Sequence, residues 1–376
     1  SLLGSAWPSM YGDLGVSIGS AGIISMIISG GTILSSLLSD RLIRRFGTGL
    51  VTFISVAMTA IALMGFSLSG SFIMLCICAV PLGLGAGSVD AALNNFVALH
   101  YKAKHMSWLH CFWGIGASIG PIILSYSLIQ WKSWNIGYRA ISIIQIVLVI
   151  VLLISLPLWR KVSSVQSGSD ESNQQILSFP ELLRLPGAKQ VLIAFFCYCA
   201  IENTVGLWGS TYLVTVRGVS AETAASWISL YYIGITLGRL LSGFLAIKLR
   251  HKQLVQLGQL LIGIGIIILF LPIQGGFLLV GLFLIGLGCA PIYPSLLHET
   301  PDNFGSQYSQ SIMGVQMACA YVGTTLMPPL FGLLGTHVGY GLFPVFTGLL
   351  LLLMVLMVII LYKKISVKKD EPINEN

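Results

Sequence analysis

The sequence predicts an all-α integral membrane protein, a bundle of twelve helices in two pseudo-symmetric six-helix halves, with the first helix truncated. Three observations predict it. Of 376 residues, 55% are hydrophobic and only 9% are charged, whereas a soluble domain carries about 25% charged residues. Uncharged stretches near the ~20 residues that cross hydrocarbon recur along the whole chain. The two halves also echo each other in order. A closed barrel would alternate apolar and polar residues over about ten positions per strand; "LLLLLMVLMVIILY" has no such alternation.

The elements follow in order. "SLLGSAWPSMYGDLG" opens with no initiating Met and no basic stretch, and is read as a partial first helix near 1–14. Complete spans are expected at 18–39, 48–68, 72–99, 106–130, 138–159, 188–215, 221–248, 254–272, 276–298, 308–335 and 340–362. The longest hydrophilic stretch, 160–187, holds "SSVQSGSDESNQQ", which reads as flexible linker. "LSFPELLRLPG" then predicts a short surface helix capped by Ser178, with Pro180 early and Pro186 ending it. This linker separates an N-terminal half, 1–159, from a C-terminal half, 188–362. The polar tail, 363–376, is expected to be disordered.

Lysine and arginine set the orientation. One side collects Arg41, Arg44, Arg45, Lys102, Lys104, Arg160, Lys161, Arg184, Lys189, Lys248, Arg250, Lys252, Lys363, Lys364, Lys368 and Lys369. The other has only Lys132, Arg139 and Arg217. The first set is therefore expected to be cytoplasmic, with both chain ends inside the cell membrane. The net charge of +7 is then loop charge, and no nucleic-acid partner is expected. The seven cysteines fall in apolar stretches without metal spacing and read as small packing residues.

The repeat is specific. "SSLLSDRLIRRFGTGL" at 35–50 resembles "SGFLAIKLRHKQLVQL" at 242–257, and "GLG" at 83 returns at 286. Met106, Gly116 and Pro121 return as Met313, Gly323 and Pro328. The offsets run from 203 to 207. Parallel repeats of six helices place a substrate site between the halves at mid-depth.

"GGTILSSLLSDRLIRRFG" resembles the loop signature of the major facilitator superfamily between helices two and three, Gly-x-x-x-Asp-Arg-x-Gly-Arg-Arg. Asp40, Arg41, Arg44 and Arg45 match it, while Ser36 and Ile43 replace the two glycines. "GIGASIGP" at 114–121 is similar to that family's fifth-helix signature. "GLGAGSVDAALNN" and "YCAIENTVGLWGSTYL" resemble the fourth and seventh helices of fucose-permease-like sugar:proton symporters. That branch also has a first-helix Asp four residues before a Pro; here Gly4 stands four before Pro8. The resemblance implies a twelve-helix transporter in which Asp90 carries the proton. It also implies a gating latch at Asp40, Arg41, Arg44 and Arg45, which Arg239 is expected to join.

Ionisable groups inside spans are functional candidates, since insertion costs roughly 2.5–3.5 kcal/mol each. Gly83, Gly87, Asp90 and Asn94 share one helical face. The small residues admit close approach by a neighbouring helix or by a solute. Asp90 and Glu202 are the proton-coupling candidates. Asn94, Asn95, His110, Trp113, Glu202, Asn203, Trp208, Tyr293 and Gln316 are the substrate-binding candidates. Trp208 offers a flat face for a sugar ring or ordinary interfacial aromatic chemistry, and His110 a relay or a structural imidazole. Spans three, six, nine and twelve carry no acid in their apolar bodies and are expected to face lipid.

Catalytic motifs are absent: no Walker loop, no His-Glu-x-x-His and no nucleophile elbow. The expected function is secondary active transport of a small polar solute, with a monosaccharide favoured, by proton-coupled alternating access. No cofactor is expected beyond the proton gradient, no enzyme activity, and no partner beyond solute and bilayer; the chain is expected to work as a monomer. A proton-antiport exporter of amphipathic compounds and a non-transporting sensor remain alternatives.

Overall fold

The structure, a computed structural model, describes residues 2–17, 20–166, 178–219, 221–272 and 275–370. Every regular element among them is helical. The helices are α1 (Leu2–Asp13), α2 (Ala21–Phe46), α3 (Thr48–Leu68), α4 (Phe72–His100), α5 (Ala103–Trp131), α6 (Trp134–Gln166), α7 (Phe179–Arg184) and α8 (Ala188–Arg217). They continue as α9 (Ala221–Leu245), α10 (His251–Phe270), α11 (Phe277–His298), α12 (Thr300–Phe304), α13 (Ser306–His337) and α14 (Phe343–Asp370). Eleven are long and apolar enough to cross a membrane.

Among the boundaries that differ from the sequence reading, three stand out. α2 runs past residue 39 to Phe46 and stops at Gly47, whose φ of 78° ends the helix. The Asp40–Arg45 signature is therefore helical, which brings Asp40 and Arg44 together one turn apart. α6 continues to Gln166, into the expected linker. α14 continues to Asp370, past residue 363, where the tail was expected to begin. Much of the linker, 167–177, and the end of the tail, 371–376, lie outside the described residues. The short surface helix α7 begins as expected: the Ser178 N–H donates to Glu181 Oε2 at 2.7 Å, closing a capping box. Hydrogen bonds from Ser178 hold the Glu181 carboxyl below its ordinary range.

The chain packs as two compact units. The first takes in α1 to α3, α4 as far as Phe96, α5 from Trp113, and α6. The second takes in Val97–Phe112 with α7 to α14. The end of α4 and the start of α5 thus pack with the second unit, although they fall in the first half of the sequence. Local contacts explain it. The Trp108 ring lies edge-on to Phe244 at 5.8 Å, and Tyr101 C=O sits 3.0 Å from His298 Nε2.

Each unit has its own fastening. In the first, Trp7, Met10, Ile24, Phe66, Leu124 and Tyr138 belong to one apolar cluster, and Trp134 Nε1 donates to Asp13 Oδ2 at 2.8 Å. α3 and α6 are pinned by Ser142 Oγ on Ala60 C=O at 2.9 Å and Thr59 Oγ1 on Gln145 Oε1 at 3.1 Å. Of the four spans expected to face lipid, α6 is the most exposed; α3 and α10 bury far more of their length, each against a neighbouring helix.

The internal repeat is visible as one helix crossing made twice. A Cβ on Gly83 of α4 would strike the Ile28 carbonyl of α2. A Cβ on Gly286 of α11 would strike the Tyr231 carbonyl of α9. Both members of the second pair lie 203 positions after the first. Gly31 against Leu84 N, at 3.2 Å, returns as Gly234 against Leu287 N, at 3.3 Å, at the same offset. Packing therefore registers α2 with α9 at 203, one helical turn from the 207 of the loop strings. The crossings are close because small residues let backbones touch. In the first unit, Thr32 and Ser36 hydroxyls donate to the Gly83 and Gly87 carbonyls at 3.2 and 3.3 Å.

Replacing Gly87 by Val should break this crossing, since its Cβ already meets Ser36 Oγ at 2.8 Å and the Thr32 backbone. The expected loss is about 2 kcal/mol. Gly30→Ala on α2, where nothing lies within 4 Å, should leave stability unchanged or raise it. Thermal unfolding of the detergent-purified chain measures both.

Candidate functional site

The second unit gathers the densest polar cluster. Tyr198 and Glu202 stand one turn apart on α8 and so share a face. The Tyr198 hydroxyl donates to Glu202 Oε2. On the other carboxylate oxygen, Arg239 Nη2 of α9 sits 3.5 Å from Oε1, with the two side chains 5% and 14% exposed. Arg239 Nη1 also donates to the His110 carbonyl at 3.3 Å. The Tyr231 hydroxyl donates to the Glu202 backbone carbonyl at 2.9 Å. Glu202 is thus held by a cation, a phenol and its own anchored backbone.

Aromatic rings wall this cluster. Tyr293 of α11 meets His110 edge-on at 4.9 Å, Phe195 at 5.1 Å and Tyr198 at 5.5 Å. Its hydroxyl contacts Met317 Sδ at 2.8 Å. Asn203, next to Glu202, donates from Nδ2 to Cys199 C=O at 2.9 Å and to Thr324 Oγ1 of α13 at 3.1 Å.

Of the sequence candidates, Glu202, Asn203, His110 and Tyr293 come together here. Arg239, expected to join the gating group, sits within the second unit on Glu202 and on the His110 carbonyl. Tyr198, Tyr231 and Thr324 belong to the cluster without having been expected. The spacing of Tyr198 to Glu202 was the available signal. Tyr231 and Thr324 reach the cluster through tertiary packing, which one-dimensional spacing does not carry.

Other candidates lie elsewhere. Trp208 Nε1 donates to the Pro328 carbonyl at 2.8 Å, and its ring packs on Tyr340 at 5.5 Å. The indole fastens α8 to α13. Tyr212, one turn on, donates to Leu269 C=O at 2.6 Å and receives Arg217 Nε at 2.8 Å, tying α8 to α10. Gln316 is fully buried and accepts from Thr300 Oγ1 at 3.2 Å.

The first unit holds the remaining candidates. Asp90 is half-buried on α4. Asn94 Nδ2 donates to Asp90 Oδ1 and to its carbonyl, both at 2.8 Å. Asn94 and Asn95 are buried, whereas Trp113 of α5 is 60% exposed. Gly83 and Gly87, on the same stripe as Asp90, press against α2. Close approach there is by a helix. Asp40, 6% exposed, accepts Arg44 Nε at 2.8 Å. Arg41 and Arg45 are exposed, with Arg45 over the Phe46 ring at 5.4 Å.

Chemically, the α8–α9 cluster is a carboxylate poised between a guanidinium and a phenol. Two buried charges cost several kcal/mol each to dehydrate, and their attraction offsets this only while both are present. At 3.5 Å the pair is longer than the 2.7–2.9 Å of a tight charge-assisted bond. A group that neutralises the carboxylate, or competes for the guanidinium, therefore has large leverage.

The sequence profile of the Major Facilitator Superfamily matches residues 1–228 and 191–376. The glucose/mannose transporter GlcP of Bacillus subtilis is 25% identical over 313 residues, 79% of this chain and 74% of that protein. The proton:xylose symporter XylE, solved with 6-bromo-6-deoxy-D-glucose, superposes with a TM-score of 0.76 at 14% identity, covering 97% of this chain and 91% of that one. FucP in its outward conformation gives 0.72 at 15% identity, covering 96% and 94%.

Removing one partner of the buried pair should cost more than removing both. Arg239→Leu is expected to lower stability by roughly 3 kcal/mol or more, and Arg239→Leu with Glu202→Leu to recover a good part of it. Thermal unfolding of the wild type, Arg239→Leu, Glu202→Leu and the double variant closes the cycle; additive losses would remove the coupling.

Proposed function

From its place in the Major Facilitator Superfamily, to which the chain belongs across both halves, we propose that it moves a small polar solute, a monosaccharide in the first instance, by alternating access coupled to protons. The Glu202–Arg239 pair carries this reading. Ionised, Glu202 holds Arg239; protonated, it loses its charge, gains an O–H donor and releases the guanidinium. That exchange links proton occupancy to a rearrangement of α8 against α9, which is what coupling requires.

Asp90, with Asn94 beside it, is proposed as a second proton-carrying acid. Asn203, Asn94 and Asn95 supply the paired donor and acceptor that a sugar hydroxyl uses. Tyr293, Tyr198 and the His110 ring supply apolar faces for the C–H side of a pyranose. Asp40, with Arg41, Arg44 and Arg45, is proposed to latch one closed state. Both chain ends are proposed to lie on the cytoplasmic side of the cell membrane, the side bearing most of the lysine and arginine. The working unit is proposed as a monomer that draws on the proton gradient alone.

The test is uptake into proteoliposomes. Wild-type protein should accumulate labelled glucose, mannose or fucose when the outside is acidified. Glu202→Gln and Asp90→Asn should lose uphill accumulation and keep counterflow exchange of the same sugar. Full accumulation in both variants removes proton coupling through these acids, and absence of any sugar flux in the wild type removes the cargo class.

A further inference from the structure

Between α10 and α14 of the second unit runs a groove of about 660 Å³. Lys252 and Gln259 of α10 and Lys363 of α14 line one end. Ile359 lies one turn from Lys363, and Ile264 and Ile267 line the far part. Its polarity is graded along the helix axis. From Lys252, Gln259 lies about 10 Å along α10 and Ile267 about 22 Å, at 1.5 Å per residue. One leaflet contributes about 15 Å of hydrocarbon beneath its head groups.

Two further observations bear on the occupant. Gln259 is only 6% exposed, and its Nε2 has no hydrogen-bond partner among the described residues. A buried amide donor calls for an acceptor, and this one lines the groove just below the lysines. Lys252 Nζ lies 5.4 Å over the Tyr362 ring, whose hydroxyl donates to Glu299 Oε2 at 2.7 Å. The ring steadies the ammonium at the mouth, and the nearby carboxylate is already engaged by that phenol. Ile359, one turn from Lys363, is 56% exposed, and Ile267, at the far end, is 58% exposed, so the groove has an open apolar wall along its length. Gly263 keeps its floor low: an added Cβ would meet only Leu351 Cδ2, at 3.5 Å.

We propose that this groove binds one anionic phospholipid, with the phosphate on Lys252 and Lys363, an ester carbonyl accepting from Gln259, and an acyl chain along Ile264, Ile267 and Ile359. Basic residues above an apolar slot between spans match such a head group and tail together. The inference stands apart from cargo and coupling, and fails or holds independently of them.

Native mass spectrometry of the full chain in mild detergent, titrated with phosphatidylglycerol or phosphatidylcholine, tests it. The wild type should retain one phosphatidylglycerol and much less phosphatidylcholine. Lys252→Ala with Lys363→Ala should weaken retention about thirty-fold. Gly263→Leu, which fills the slot and leaves both charges, should weaken it as well and decides the matter if the double variant does not fold. Lys189→Ala with Lys248→Ala should match wild type. Equal retention of the two lipids, displacement by soluble glycerol phosphate, or an unaffected Gly263→Leu would each overturn the proposal.

Discussion

Hydrocarbon offers no hydrogen bonds, so each polar group inside a span must find its partner within the protein. That constraint organises this chain. Glu202 meets Arg239, Tyr198 and, through its backbone, Tyr231. Trp208 reaches the Pro328 carbonyl, and Tyr212 reaches Leu269. Serine and threonine hydroxyls turn back onto carbonyls of their own helix or cross to the next, as Thr32 does on both counts. The few charges in the interior are paired: Asp40 with Arg44 in the first unit and Glu202 with Arg239 in the second.

The scaffold beneath that chemistry is built on backbone contact. Gly83 on Ile28 and Gly286 on Tyr231 make the same crossing in the two units. In the second unit α10 and α11 close up in the same manner, a Cβ on Gly258 meeting the Gly288 carbonyl at 2.5 Å. Glycine carries no side chain to hold the helices apart, so carbonyls and hydroxyls come within reach of one another.

Much of the fold was legible in the sequence because it rests on long averages. Twenty apolar residues in a row read as a span whatever their order, and the doubled "GLG" marked the repeated crossing. Helix ends were less legible. α2 extends through Asp40 and Arg45 because charged residues at a membrane surface are compatible with helix, and only Gly47 stops it. The site was legible where it is local: Glu202 and Asn203 stand out as polar residues in an apolar run. Arg239 was visible as a charge, but its partner was not, since α8 and α9 meet through tertiary packing. Trp208 illustrates the opposite failure. Its spacing fits a sugar platform and a helix fastener equally, and its bond to the Pro328 carbonyl, made across to another helix, could not be read from that spacing.

The paired crossing has a consequence for how such a chain diversifies. At the shared offset of 203, Ser36 stands opposite Arg239 and Asp90 opposite Tyr293. A hydroxyl in one copy is a cation in the other; an acid in one is an aromatic in the other. The glycine-to-backbone contacts are alike in the two copies, while the side chains that flank them differ. Two copies of one joint are thus fitted with unlike machinery.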